Sequence, residues 1–136
     1  MTARDSDLDN PYGYAPEIWR LFRTAPNAGA FPPGTDGVVA AEAGTPAARS
    51  VLRLELRVNA GVVADARFRA YGCPASIAVG AYIAGWVRGR PMAELSTLRA
   101  GDLREALEIP EDRAHCALLG EDALRAVLAR YSREST

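Results

Sequence analysis

The 136-residue sequence contains no lysine; all 16 of its basic residues are arginine. Apart from the chain terminus there is no amine for Schiff-base chemistry, which excludes lysine-dependent covalent catalysis. Histidine occurs once and cysteine twice, so soft or borderline metal ligands are few and one disulfide is the most the chain could form. Excess charge is also missing: 16 basic against 17 acidic residues leave −1. A chain so balanced has no overall electrostatic drive toward nucleic acid or an anionic membrane surface, and neither is expected as a partner. The longest nearly apolar run, Ala75–Val87, is too short to span a bilayer. Met1–Asn10 is polar and acidic and lacks the apolar stretch of a signal peptide. The expectation is a cytoplasmic protein with reduced thiols. Heavy use of arginine, alanine, glycine and proline fits the codons of a GC-rich bacterial genome.

The composition, 49% hydrophobic and 24% charged, supports one folded core. The expected organisation is a loose segment over Met1–Tyr12 and a single domain over residues 13–136. Ile18, Leu21 and Phe22 predict a short amphipathic helix in Pro16–Arg23, followed by a loop rich in proline and glycine up to Gly34. Val38–Ala43 reads as a strand broken by Gly44-Thr45-Pro46. Leu52, Leu54, Leu56 and Val58 alternate with Arg53, Glu55 and Arg57. After the turn Asn59-Ala60-Gly61, Ala64, Ala66, Phe68 and Ala70 alternate with Asp65, Arg67 and Arg69. This period of two predicts a hairpin with one buried face and a solvated face of cross-strand ion pairs. Pro74–Arg88 is apolar nearly all round, which predicts a buried helix ended by Gly89 and Pro91. Met92–Leu98 and Gly101–Leu107 read as short helices. Leu124, Val127, Leu128 and Tyr131 mark a C-terminal helix, with Glu121 and Asp122 expected in its early turns. Strands first and helices second imply an α+β fold, an antiparallel sheet with helices packed on one face.

The three candidate ligands are Cys73, His115 and Cys116. Cys73 lies between Gly72 and Pro74, at or near a helix N-cap, where unsatisfied amides and the helix dipole favour a thiolate. Cys116 follows an irregular stretch and precedes the last helix. Two thiolates at helix starts beside an imidazole suit zinc or iron–sulfur ligation. The same residues fit inert packing equally well, because free cysteine is often core filler and no Cys-x-x-Cys pair is present.

Several stretches resemble the IscU/NifU N-terminal family of iron–sulfur cluster assembly scaffolds: Asp65–Ala78 with its Tyr71-Gly72-Cys73-Pro74 turn, Trp86–Arg90, His115–Leu124, and Ala25–Phe31. Order and spacing agree from about Ile18 to Tyr131. The resemblance implies a three-stranded antiparallel sheet with helices on one side. It also implies iron or a [2Fe–2S] cluster, with zinc as the alternative, on Cys73, His115 and Cys116. Cys116 would be the acceptor of sulfur from a cysteine desulfurase. The family normally supplies three cysteines and an aspartate; here Ala48 stands where the first cysteine belongs and Ser50 where the aspartate belongs. A fourth ligand would have to come from water, a small thiol, Asp36, Glu42 or a second protomer in a homodimer. The family's chaperone-binding Leu-Pro-Pro-Val-Lys is altered to Ile109-Pro110-Glu111-Asp112-Arg113, whose acidic residues oppose docking in an apolar chaperone groove. The expected function is a scaffold or carrier, and the alternative is a zinc-bound or metal-free interaction protein. An enzyme ranks last: a Cys₂His zinc with an open position is a catalytic arrangement, but no glutamate or second histidine is placed as a base.

Overall fold

In the computed structural model, which describes residues 13–134, the period-two runs form a three-stranded antiparallel sheet. Its strands are β1 (Val38–Thr45), β2 (Ser50–Asn59) and β3 (Val62–Tyr71), with β2 in the centre. The expected loose segment Met1–Tyr12 lies outside the described residues. Among the described residues four α-helices follow the sequence pattern: α1 (Pro16–Thr24), α2 (Pro74–Val87), α3 (Ala100–Leu107) and α4 (Ala114–Glu134). The expected short helix over Met92–Leu98 is a 3₁₀ helix over Met92–Thr97. Helix α4 lies on β1 and β2 and α2 on β3, while α1 packs on α2 and α3 on α4. The fold is the expected α+β arrangement.

The core forms where the faces of the two periods meet. Leu52, Leu54 and Leu56 from β2 are fully buried, with Phe68 from β3, Ile83 from α2, and Leu124 and Val127 from α4. Burying each such side chain contributes about 1.5–3 kcal/mol. Val58 and Leu128, on the apolar faces that the spacing marks, are only half-buried at the rim of this core, as is Ile77 of the apolar run in α2. Helix α4 approaches α2 closely at Gly120, where an added Cβ would meet Val79 Cγ1 and would sit 2.9 Å from Ile83 Cδ1.

Three expectations need correction. The strict alternation places Ala64 on the buried face, but Ala64 is exposed and Val63 is fully buried. A register shift is the reason: Arg57 pairs with Asp65 whereas Val58 pairs with Val63, which leaves Ala64 as the extra residue of a bulge. Glu121 does not lie in the first turns of the last helix, because α4 begins at Ala114. Its carboxylate instead accepts a hydrogen bond from Arg99 Nε (2.6 Å) and faces the Ala100 amide at the start of α3 (3.4 Å). The outer face of the sheet carries the expected ion pairs, yet Glu55 is only 6% exposed. The loop after α1 pairs with β3 at Phe68, through Gly29 N–H to Phe68 O (2.9 Å). It then reaches Glu55, which accepts from Phe31 N–H (3.0 Å) and from Arg53 Nε (3.1 Å).

Candidate metal centre

Cys73 is the N-cap of α2 and is half-buried; Cys116 is in the first turn of α4 and fully buried. The strand order explains how residues 43 positions apart meet. The end of β3 delivers Cys73, and α4 starts at the same end of the sheet, over β1 and β2. Gly72, at φ +154°, makes the turn between strand and helix; a Cβ there would fall 3.0 Å from Ser76 Oγ and 3.3 Å from Ser50 Oγ.

The two sulfurs are 3.5 Å apart. Two thiolates bonded at about 2.3 Å to one tetrahedral metal stand about 3.8 Å from each other, so the pair is already spaced for a shared ion. Ser76 links them: its hydroxyl lies 3.4 Å from Cys116 Sγ and 3.6 Å from Cys73 Sγ, within reach of both. The pair holds one negative charge, on the more accessible sulfur. Cys73 is lowered to about 4, first by the hydrogen bond from Cys116, then by those from Ser76 and the Ser76 and Ala75 amides, against a burial cost. Cys116 is raised above its ordinary value, first because it donates to the Cys73 thiolate and then by burial. Arg113 also attends the charge: its guanidinium is raised chiefly by a hydrogen bond to Cys73, and it lies 5.4 Å from the Tyr14 ring centroid.

The other expected site residues are placed less uniformly. His115, next in sequence to Cys116, is exposed, and among the described residues no three His, Cys, Asp or Glu side chains stand where they could share a metal ion. Glu42 is paired with Arg53 on the outer face (3.3 Å) and Asp36 is exposed in the loop before β1. Ala48 is exposed and ends a 3₁₀ turn, its N–H donating to Thr45 Oγ1 (3.1 Å), and Ser50 starts β2 beside Gly72. The two positions expected to have lost ligands therefore flank the β1–β2 junction, and Ser50 meets the turn that delivers Cys73. In the segment compared above with a chaperone-binding motif, Ile109 is buried, while Pro110 and Arg113 line a groove of about 440 Å³ with Tyr14 and Pro16.

Sequence reasoning missed Ser76 and the placement of Arg113 beside the sulfurs. The signal for Ser76 was present: in a helix capped by Cys73, the residue three positions on faces back over the cap. For Arg113 no comparable signal exists, since its approach depends on how α4 meets α2.

The model of the NifU-like N-terminal domain matches residues 13–136. The chain is 34% identical over 119 residues to the iron–sulfur cluster assembly scaffold protein IscU of Escherichia coli K12, covering 87% of this chain and 93% of that one. Identity to the protein of the same name from Haemophilus influenzae is 31% over 119 residues, covering 87% and 94%. Among solved structures, a NifU-like N-terminal protein from Brucella abortus superposes with a TM-score of 0.64 at 20% identity, covering 93% and 98%. A SufU-type scaffold described as putative, from Fervidobacterium islandicum AW-1, gives 0.64 at 17% identity, covering 85% and 96%. This chain belongs to the NifU-like N-terminal domain family.

Proposed function

We propose that this protein is an iron–sulfur cluster assembly scaffold or carrier, a non-catalytic protein whose cargo is iron or a labile cluster. The observation that carries the reading is the Cys73–Cys116 pair, two sulfurs 3.5 Å apart in a family whose named relatives are cluster scaffolds. The pair supplies two thiolates. His115 would supply the third ligand, which requires the exposed imidazole to turn toward Cys116 as cargo binds. A fourth would come from water, a small thiol or a second protomer, since two chains together offer four thiolates, enough for one shared [2Fe–2S] cluster. Sulfur would come from a cysteine desulfurase. Cys116, its acceptor on the strength of the resemblance, is fully buried, so the first turn of α4 must open for the transfer. Arg113, close to the Cys73 sulfur, would balance the charge of the empty site.

The substitutions at Ala48 and Ser50 and the exposure of His115 favour one second reading, a zinc-bound or metal-free interaction protein. Metal analysis of the purified protein, followed by anaerobic reconstitution with iron and sulfide, separates the two. The scaffold reading expects iron uptake with visible absorbance, abolished by Cys116→Ala. Zinc that iron and sulfide do not displace, or no metal at all, favours the second reading.

A further inference from the structure

The geometry points to a second activity of the same two sulfurs: we infer that Cys73 and Cys116 are a dithiol that exchanges with low-molecular-weight disulfides and closes into an intramolecular disulfide. Several features of the pair fit this chemistry and need no metal. The sulfurs are in contact at 3.5 Å, so closing to a bond of about 2.05 Å requires only a small side-chain movement. The two are unequal in access. Cys73 is half-exposed at a helix N-cap with backbone hydrogen bonds from Ala75 and Ser76, whereas Cys116 has no exposed surface. Such asymmetry makes one sulfur the attacker and the other the resolver. No third cysteine exists in the chain to compete for either.

The exchange balances in two steps. The Cys73 thiolate attacks a disulfide RSSR; a bond from Cys73 Sγ to one sulfur forms, the RS–SR bond breaks, and RS⁻ leaves. Cys116 then attacks Cys73 Sγ of this mixed disulfide, its thiol proton passes to the second departing RS⁻, and Cys73–Cys116 is left oxidised. RSSR is the two-electron oxidant and ends as one thiol and one thiolate, which takes its proton from water. A small dithiol reverses both steps. In the oxidised form neither sulfur is a thiolate, so the reaction withdraws both ligands from any metal. The inference shares residues with the proposed scaffold site but does not depend on it.

The test uses the metal-free, full-length, reduced protein with glutathione disulfide, followed by intact-mass measurement. Wild type is expected to become lighter by two hydrogens with no glutathione retained, and dithiothreitol should restore it. Cys116→Ser should stop at a glutathione adduct on Cys73. Cys73→Ser should lose the reaction, because its remaining thiol is buried. Circular dichroism of each variant checks that it is folded, and a variant that fails this check is replaced by the corresponding alanine substitution. A stable glutathione adduct on wild type, disulfide linkage between chains, or undiminished reaction of Cys73→Ser would overturn the inference. Iron loading of the reduced wild type, measured in parallel, reports on the scaffold reading separately.

Discussion

At the start of α2, hydrogen bonds from the Cys116 thiol, the Ser76 hydroxyl, two backbone amides and the Arg113 guanidinium converge on Cys73. They favour the charged sulfur and outweigh the burial that opposes it. Alkylation of Cys73 by iodoacetamide should therefore stay fast as pH falls below 7, with its midpoint well under the ordinary thiol value of about 8.5. Ser76→Ala should move that midpoint upward; an unchanged profile would show that the hydroxyl does not share the charge. The surroundings of Glu121 also set its ionisation. Its carboxyl is lowered, first by the hydrogen bond from Arg99, against burial. A lowered carboxylate stabilises the fold above its ordinary pKa, and that stability is lost as pH falls through the lowered value. Glu121→Ala should cost about 1–3 kcal/mol at pH 7. The difference from wild type should shrink in urea titrations at strongly acidic pH, where both lack the charge.

Between elements, close approach governs more than propensity. Gly120 lies inside α4, where alanine would gain about 1 kcal/mol as a helix former. Its absent Cβ is nevertheless what lets α4 meet Val79 and Ile83 of α2. Gly120→Ala should destabilise, by about 1–3 kcal/mol of overpacking, in spite of the propensity gain; a stabilised variant in thermal melts would show that the helices can separate freely. The leucines test the sheet face. Leu56 is fully buried and Leu56→Ala should cost about 2–5 kcal/mol. Leu128 is only half-buried, so Leu128→Ala should cost about 1 kcal/mol. Equal losses at the two positions would contradict the rim placement of Leu128. The leucine alternation was legible in the sequence because burial of one sheet face repeats every two residues. The bulge at Ala64 was not, because an inserted residue leaves the same apolar letters on either side of it.

For the whole molecule, the proposed scaffold role requires a chain with two cysteines to hold a cluster. The β1–β2 connection carries Ala48, and Ser50, the first residue of β2, lies beside the Gly72 turn that delivers Cys73. Ala48→Cys with Ser50→Asp should therefore raise iron bound per monomer after anaerobic reconstitution, read with size-exclusion elution. Wild type should hold less, or hold it as a dimer with four thiolates. No gain in the double variant would mean that this connection does not reach the metal. Among the described residues no helix is long and apolar enough to cross a membrane.

The residues themselves determined the period-two hairpin, the buried helix after Pro74, the N-cap position of Cys73 and the absence of a third thiol. Each follows from local spacing or from simple counting. Tertiary structure alone decided the rest. It brought Cys116 to 3.5 Å from Cys73 across 43 residues and left His115, next to Cys116, facing solvent. It also turned Glu121 into a partner for α3 and buried Glu55 beneath the Phe31 loop. The physical reason is the same throughout. Local pattern fixes which face of an element is apolar, but which side chains meet across two elements depends on the register and crossing of surfaces distant in the chain.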